Sequence, residues 1–410
     1  MRPSLPGGTT YPRGLGDAIR WPLVPARELF ELKYGKALVR TQRRPGSVPV
    51  YGTNGRCGTH IEALFSGPGV IIGRKGQGPL GVEWCEEPYW VIDTAYSLMP
   101  LRPDVDLKFA YYLIKHIGLN HLKDGTSNPS LSRDTFGAQA LPLPPLNVQR
   151  RIARILGALD DKMDLNRRTT GTLESIAHAI FQSWFIDVDP VCIKALASEA
   201  DPSGDWSIAQ LADLVVVHRD SVAPREIENE TVDHYSIPAF DDNRMPAAEF
   251  GSTIKSNKFA VQTGSVLVSR LNPRIPRVWL PALRGSRRGV CSTEFMVLSP
   301  RPPFTREYLY GLLRTDGFGE ELSCRVTGTS GSHQRVKPLD VMSIPVVSPP
   351  LGHIGAFSRL AAPLLEQVGL LREETRVLAD LRDALLPRLV AGSLSSSCSN
   401  LEEGCTCPNS

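Results

Sequence analysis

The sequence predicts an α+β protein built from two tandem domains, each followed by a long helix. Short apolar runs separated by Gly, Pro and Asn turns, with one or two helical stretches, fill residues 21–145 and again residues 205–348. Each region ends at a Pro-Pro-Leu sequence, after which apolar residues recur every three or four positions. Matching segments follow the same order in both halves, which indicates a duplication.

The predicted organisation divides the 410 residues into six parts. They are a loose Pro/Gly-rich N-terminus (1–20), a first domain (21–145), a first long helix with its linker (146–204), a second domain (205–348), a second long helix (349–394) and a disordered tail (395–410). This length suits two or three domains of ordinary size.

The two long helices each carry an apolar stripe. In the first helix the stripe is Val148, Ile152, Ile155, Leu159, Met163, Leu173, Ile176, Ile180 and Trp184. In the second it is Phe357, Leu364, Val368, Leu371, Leu378, Leu385 and Leu389. Helices of roughly 40 residues are about 60 Å long and extend beyond a small domain, so we expect the stripes to pair as a coiled coil. The alternative is that each helix packs only on its own domain.

Two prolines interrupt the second helical stretch. Pro363 and Pro387 each lack an amide hydrogen, so a kink or a late start is expected there.

The duplication appears as paired segments whose spacing drifts along the chain. Trp21 matches Trp206, GVIIGR at 69–74 matches SVLVSR at 265–270, and DTAYSL at 93–98 matches STEFMVL at 292–298. In this alignment Thr94 lies over Thr293. Gly-Thr-Ser also recurs, at 125–127 and 328–330.

Composition excludes several classes of protein. The 41% hydrophobic and 22% charged content is that of a soluble globular chain. The sequence has no run of 18 apolar residues, so no membrane span is predicted. The N-terminus lacks the apolar region of a secretory signal, so a cytoplasmic location is expected. The eight cysteines are scattered, which favours free thiols over a zinc site. No cofactor or metal is expected.

Positive charge is concentrated in the first domain and suggests an anionic partner. Residues 1–145 contain 17 Lys and Arg against 12 Asp and Glu. Two Gly-rich loops, YGTNGRCG from Tyr51 and GRKGQG from Gly73, let backbone and basic side chains approach a phosphate or a base edge. Plain β-turn chemistry is the alternative. The candidate DNA contacts are Tyr51, Asn54, Arg74, Lys75 and Ser127.

The second domain has its own basic segment. Residues 270–288 contain six Arg and no acid, and a guanidinium suits both phosphate and guanine. A solvated basic surface is the alternative. The candidate contacts are Arg270, Arg274 and Arg277.

Catalytic motifs are missing from the sequence. Asn128-Pro129-Ser130 lacks the second Pro and the ring of an adenine methyltransferase motif. Asp104, Asp106 and Lys108 imitate a nuclease pattern, but the two acids are too close in sequence to come from separate strands. The pattern therefore indicates a protein that is not an enzyme.

The chain resembles the specificity subunit of type I restriction–modification systems from Trp21 to Leu394. The resemblance is carried by GVIIGRKG, YWVIDTAYSL, PLPPLNVQRRIARILGALDDKMDLNRR, ESIAHAIFQSWFIDVDPV and LRDALLPRLVAGSL, in this order. It implies two target recognition domains that each read one half of a split DNA sequence. It also implies that the two helices pair antiparallel and hold the domains apart.

The resemblance further implies partners. Double-stranded DNA is one; modification subunits, two per chain by the internal duplication, and restriction subunits are the others. In the family the modification subunits dock mainly on the helices. The candidate partner-binding residues are Ile152, Ile155, Leu159, Leu173, Ile180, Leu364, Leu371, Leu378 and Leu385.

Two other interpretations remain open from the sequence. A coiled-coil scaffold or decoy subunit would bind proteins without recognising DNA. A self-sufficient DNA-modifying enzyme is disfavoured by the missing motifs. In the leading interpretation the chain directs adenine methylation and restriction carried out by its partners.

Overall fold

A computed structural model describes residues 20–187, 206–281, 287–326 and 334–393. Outside these residues lie residues 1–19 of the predicted N-terminal segment (1–20), the predicted tail (395–410), Cys192 and the second Gly-Thr-Ser copy. The chain divides into two compact units. The first unit consists of Met1–Lys162 and Leu378–Ser410, and the second unit is Met163–Val377.

The first unit begins with a head, residues 21–145, that is rich in short strands. Its strands are β1 (Leu23–Pro25), β2 (Phe30–Tyr34), β3 (Val48–Gly52), β4 (Gly55–His60), β5 (Gly69–Gly73), β6 (Val82–Cys85), β7 (Trp90–Val91), β8 (Ala95–Pro100), β9 (Lys123–Asp124), β10 (Ser130–Leu131) and β11 (Ala140–Pro142). Its helices are α1 (Ala26–Leu29), α2 (Leu107–Ile117) and α3 (Arg133–Gly137), followed by the long α4 (Leu146–Phe185).

The head of the second unit has a similar inventory. Its strands are β12 (Ser207–Gln210), β13 (Val215–His218), β14 (Ser221–Val222), β15 (Thr231–Tyr235), β16 (Ala247–Phe250), β17 (Lys258–Ala260), β18 (Val266–Ser269), β19 (Val278–Trp279), β20 (Gly289–Cys291), β21 (Phe295–Pro300) and β22 (Pro345–Ser348). Its helices are α5 (Leu211–Leu214), α6 (Ile237–Asn243), α7 (Arg306–Leu313), α8 (Asp316–Cys324) and α9 (Pro338–Met342), followed by the long α10 (Leu351–Ala391). The predicted α+β class is confirmed.

Strand β5 is the centre of the first head. It lies in an antiparallel sheet of order β2-β8-β5-β6, and all five of its residues are buried. Because side chains alternate along a strand, Val70 and Ile72 face the cluster that includes α2, whereas Ile71 packs with Tyr89 on the other side. Burial of both faces explains the continuous apolar run GVIIG.

Strand β18 has the same role in the second head. The sheet order is β13-β21-β18-β19, with Val266 and Val268 in one apolar cluster and Leu267 in another. Val70 pairs with Leu98, and Val266 pairs with Leu298. By this register Thr94 of the first half is equivalent to Glu294 of the second half. The predicted alignment of Thr94 with Thr293 is therefore wrong by one residue. The drifting offset between the halves caused the error.

In the first unit, the start of α4 is fastened to the head by one buried amide. Gln149 is fully buried; its Oε1 accepts from the backbone N of Asp106 at 2.8 Å. Its Nε2 donates to the carbonyls of Asp104 and Pro144, at 2.9 and 2.8 Å. The amide's donor and acceptor groups are thus satisfied away from water, which fixes the direction in which the helix leaves the head.

The end of α10 completes the same unit. Leu386 and Val390 belong to the apolar cluster of the first head, together with Ile152 and Leu156 of α4. Asp160 of α4 accepts from Arg382 of α10 and from Tyr112 of α2, at 3.0 and 2.7 Å. The backbone N of Arg20 donates to the carbonyl of Ala391 at 3.1 Å.

In the second unit, α4 and α10 pair antiparallel. Asn166 donates to Glu374 at 2.9 Å, and the ring of Phe181 lies 5.5 Å from that of Phe357. Residue numbers on α10 fall as those on α4 rise. Phe181 also packs against α7, where Gly311 leaves space for its ring.

The buried face of α4 differs from the apolar stripe that the sequence predicts. Ile176, predicted on the buried stripe, is 43% exposed, whereas Ala177, Phe181 and Phe185 are buried. The buried face is displaced by one residue because the two Phe rings pack on α7 and α10.

The helix α10 begins at Leu351 and is continuous to Ala391, so the predicted late start is also wrong.

No helix in the described parts of the chain combines the length and the apolar character that would be needed to cross a bilayer.

Glu174 of α4 contacts three side chains of the second unit. Its carboxylate accepts from Tyr310 at 2.8 Å and pairs with Arg372 at 3.0 Å and Arg244 at 3.1 Å. Burial alone raises the pKa of this carboxyl, but the guanidiniums of Arg372 and Arg314 outweigh it, with help from the Tyr310 hydroxyl and Arg244. The pKa of Glu174 therefore lies below its ordinary value of 4.5.

We expect Gly311→Ala to destabilise the second unit, because the added Cβ would lie 2.2 Å from the Phe181 ring. Overpacking of this kind costs about 1–3 kcal/mol. Gly317→Ala in α8 is the matched control; its Cβ meets nothing within 4 Å, and the change should stabilise the helix slightly. Urea unfolding of the two variants measures both effects, and equal stabilities would contradict the described packing.

We also expect Glu174→Gln to lower the free energy of unfolding by roughly 3–5 kcal/mol at pH 7, because it removes the buried carboxylate from an ion pair with Arg372, whose side chain is only 13% exposed. A lowered pKa means that the stabilisation is fully present above the unfolded-state pKa and is lost as the pH falls through the folded-state pKa. Wild type and variant should therefore converge on acidification below pH 4.5.

The matched control for this prediction is Glu321→Gln, which removes an i,i+4 surface pair with Arg325. Its effect should stay below about 1 kcal/mol. Denaturant unfolding from pH 7 to pH 3 provides the measurement, and a difference that does not change with pH would count against the ion pair.

Candidate nucleic-acid interface

Three loops of the first head meet at the end of β5. They are residues 51–55, 73–81 and 123–131. The backbone N of Gly81 donates to the carbonyl of Thr53 at 2.8 Å, and the backbone N of Gly76 donates to that of Pro129 at 3.0 Å. The Thr53 hydroxyl donates to the carbonyl of Lys75 at 2.7 Å. The meeting of these loops, here named loop cluster 1, brings Asn54, Lys75 and Ser127 to one surface.

Two side chains that the sequence analysis missed stabilise loop cluster 1. Lys123 Nζ donates to the carbonyls of Gly76 and Gly78 at 3.1 and 2.9 Å. Gln77 Nε2 donates to the carbonyls of Thr126 and Ser127, at 3.3 and 3.1 Å. These partners lie more than 40 residues apart in the chain, so no local pattern could have identified them.

The side chains available for binding at loop cluster 1 are polar. Asn54, Gln77 and Ser127 are exposed, and Lys75 is half-buried. An amide, a hydroxyl and an ammonium group offer the donors and acceptors that read base edges or hold phosphates.

Arg74 emerges directly from the buried strand β5 and is held on both sides by backbone. Its N donates to the carbonyl of Thr94 at 2.9 Å, and its own carbonyl accepts from the N of Leu131 at 2.8 Å. The guanidinium donates to the carbonyl of Asp93 at 3.1 Å and lies 4.7 Å from the ring centroid of Tyr34. The side chain therefore has a defined position at the rim of the loop cluster.

Arg270 occupies the equivalent position after β18. Its N donates to the carbonyl of Glu294 at 3.0 Å, its carbonyl accepts from Val336 at 3.0 Å, and its guanidinium donates to the carbonyl of Thr293 at 3.3 Å. These three bonds match those of Arg74 one for one. The predicted correspondence of the two arginines is thus visible in the backbone, although the loops that follow differ in sequence.

An acid distinguishes the second head at this point. Glu294 pairs with Arg335 at 2.9 Å and with Arg270 at 3.7 Å. Thr94 stands at the corresponding place in the first head, so Arg74 has no carboxylate there. The positive potential around Arg74 is therefore less neutralised than that around Arg270.

Asn272 replaces a glycine of the first head. Gly76 has φ of +127° and Asn272 has φ of +50°. The backbone N of Asn272 donates to the carbonyl of Gln334 at 2.9 Å, as that of Gly76 does to Pro129. Asn is among the few residues that tolerate the left-handed region, which explains how this loop keeps its turn without GRKG.

The other candidate DNA contacts have mixed environments. Arg274 is exposed, whereas Arg277 is only 6% exposed and forms two hydrogen bonds with Asp241, at 2.6 and 2.8 Å. Tyr51 is buried in the apolar cluster with Tyr89, and burial raises the pKa of its hydroxyl. Arg277 and Tyr51 thus have structural partners, and their contact with DNA stays a prediction.

The nuclease-like acids have ordinary structural partners. Asp106 caps α2 by accepting from the N of Phe109 at 2.8 Å, and Asp104 forms two hydrogen bonds with Arg102. Among the described residues, no group of three or more His, Cys, Asp or Glu side chains is arranged to hold a metal ion.

Comparison with known proteins gives one match to a family model, in the first half of the chain. Residues 19–175 match the family model of the type I restriction modification DNA specificity domain. The type I restriction enzyme MjaIX specificity subunit of Methanocaldococcus jannaschii is 27% identical over 308 residues, which cover 70% of this chain and 69% of that protein. The HindI specificity subunit of Haemophilus influenzae is 44% identical over 69 residues, or 17% of this chain and 15% of that protein.

A solved structure shares the fold over nearly the full length. The crystal structure of the type I restriction–modification S subunit from M. genitalium matches with a TM-score of 0.62 at 16% identity. The match covers 92% of this chain and 97% of that one.

We expect Asn272→Val to destabilise the second unit by about 1–3 kcal/mol, because a β-branched residue is strained at positive φ. Asn272→Gly should stay close to wild type, since glycine adopts this conformation freely. Denaturant unfolding of the two variants tests the comparison. Equal destabilisation by both would mean that the Asn side chain matters and the backbone angle does not.

Proposed function

We infer that this chain is the specificity subunit of a type I restriction–modification system and recognises a DNA sequence. We propose that each head reads one half of a split target. We also propose that adenine methylation and restriction are carried out by partner subunits. Because the substrate is DNA, the complex is placed in the cytoplasm.

The observation that carries the split-target proposal is the equivalent placement of Arg74 and Arg270. Each arginine leaves a strand that is buried on both faces, and each is held by the same three hydrogen bonds. Two heads that present a guanidinium in the same way suit two half-sites of one duplex. A bidentate guanidinium–guanine contact discriminates by about 1–3 kcal/mol, and a phosphate contact fixes register.

Base reading is assigned mainly to the polar side chains around these arginines. In the first head they are Asn54, Lys75 and Ser127, whose loops converge through backbone hydrogen bonds. In the second head they are Arg270 and Arg274. Tyr51 and Arg277 are assigned the positioning of these loops, since both are buried.

The long helices are proposed to bind the modification subunits, two per chain. Among the nine predicted partner-binding residues, Ile152 and Leu371 are buried within their units, whereas Ile155, Leu159, Leu173, Ile180, Leu364, Leu378 and Leu385 are half-buried. Further apolar side chains on the two helices are exposed, namely Leu165, Ile176, Leu360, Leu370, Val377 and Leu381. Exposed and half-buried apolar side chains on a long helix are typical of a surface that a partner covers. Restriction subunits would join through this complex.

The test is co-expression with a type I modification subunit of the same host, followed by mapping of methylated adenines across the host genome. We expect a split motif with a fixed gap. Arg270→Ala should abolish or relax recognition of one half-site, and Arg74→Ala that of the other. Lys255→Ala, an exposed lysine whose Nζ contacts only the Ser252 carbonyl in the described structure, is the control and should leave the motif unchanged.

Three outcomes would overturn the proposal in different ways. A stable complex without methylation would indicate a decoy or a protein scaffold. Methylation by the isolated chain would make it an enzyme. Failure to form any complex with the modification subunit would remove the assignment to this kind of system.

A further inference from the structure

An exposed tyrosine beside loop cluster 1 lies against two guanidinium groups. Tyr34, at the end of β2, is 47% exposed. The guanidinium carbon of Arg133 lies 4.0 Å from its ring centroid, and that of Arg74 lies 4.7 Å from it. The ring of Tyr96 is 5.0 Å away and is also within 5.6 Å of Arg74. Two cations thus share one aromatic surface.

In the described structure the two guanidiniums have contacts with aromatic rings and a backbone carbonyl rather than with carboxylates. In the described parts of the chain, neither Arg74 nor Arg133 forms an ion pair with a carboxylate; Arg74 donates instead to the backbone carbonyl of Asp93. Burial and the Tyr34 hydroxyl raise the pKa of Tyr96 to about 12. The guanidiniums of Arg74 and Arg133 oppose this rise. Two like charges held at one ring repel each other, so an anion bound beside them would be stabilised.

The tyrosine ring orders the two guanidiniums before a ligand binds. A guanidinium that lies over an aromatic ring uses its face for the contact and keeps the N–H donors of its edge for a ligand. The ordering of two long side chains then takes place before the ligand arrives, which lowers the entropic cost of binding.

We propose that Tyr34, Arg74 and Arg133 form a clamp for one backbone phosphate of the DNA that the first head reads. Arg74 and Arg133 donate to the phosphate in this clamp, and Tyr34 is the positioning residue that holds their guanidiniums. Phosphate is the ligand because it is a compact anion whose oxygens accept several N–H donors from two arginines at once. This inference rests on the proposed function, since it adds a residue-level role to the same DNA-binding surface.

The second head lacks the clamp. By strand register, Arg219 takes the place of Tyr34. Arg133 is the first residue of α3, and Pro338 is the first residue of the corresponding helix α9. Its equivalent arginine, Arg270, shares Glu294 with Arg335. The proposal therefore predicts that phosphate contact at this position is a property of the first head alone.

The test uses the full complex with modification subunits and a duplex containing the mapped target. Affinity is measured by fluorescence anisotropy between 50 and 200 mM salt. Loss of one phosphate contact reduces the slope of log affinity against log salt by about 0.9. We expect this full reduction for the Arg74→Gln, Arg133→Gln double variant, part of it for Arg133→Gln, and near-normal binding for Arg133→Lys at low salt.

Variants of Tyr34 separate charge from positioning. Tyr34→Leu keeps both charges and should weaken binding about 3- to 10-fold with a nearly unchanged slope. Tyr34→Phe keeps the ring and should restore wild-type affinity. The control for charge is Lys33→Gln, because Lys33 lies on the opposite face of β2 and pairs with Glu31. Its slope should equal that of wild type.

Neutral methylphosphonates, placed one at a time in the half-site read by the first head, provide a second measurement. One position should weaken wild type strongly, Arg133→Gln less, and leave the Arg74→Gln, Arg133→Gln double variant unaffected. An unchanged slope for Arg133→Gln, an equal effect of Lys33→Gln, or the absence of such a position would overturn the clamp. A wild-type complex that does not bind DNA would overturn the proposed function itself, and is therefore distinguishable.

Discussion

The burial of one strand on both faces is the constraint on which the rest of each head depends. Strands β5 and β18 have apolar clusters on either side, so neither can slide or turn without exposing a full row of side chains. The residue that follows each strand is consequently fixed in space. In both heads that residue is an arginine, and the loops of the candidate interface are assembled around it by backbone hydrogen bonds.

The sequence was sufficient for the features that depend on local pattern. The α+β class, the two long helices and the correspondence of Arg74 with Arg270 follow from periodicity and from the internal repeat. The features that escaped depend on contacts between distant segments. Lys123 and Gln77 join loops more than 40 residues apart, and Tyr34 of β2 meets Arg133 of α3, which is likewise distant in the sequence. The buried face of α4 moved from Ile176 to Ala177 because packing of Phe181 overrode the hydropathy pattern.

The two heads are related in backbone and different in electrostatics. The first has Thr94 where the second has Glu294, and a glycine where the second has Asn272. These exchanges leave the strand framework intact, because they lie where β5 and β18 end. One framework can therefore carry two unlike surfaces, which is what a protein needs if its two halves bind different sequences.

The composition of the first unit also affects the order in which the protein can be made. Its apolar core includes Leu386 and Val390, which are synthesised more than 200 residues after the head that they complete. The second unit is a single continuous segment, Met163–Val377. On the ribosome, the second unit can therefore close before the first. Part of the apolar surface of the first head stays uncovered until the end of α10 has been synthesised, and surface of this kind is prone to aggregation.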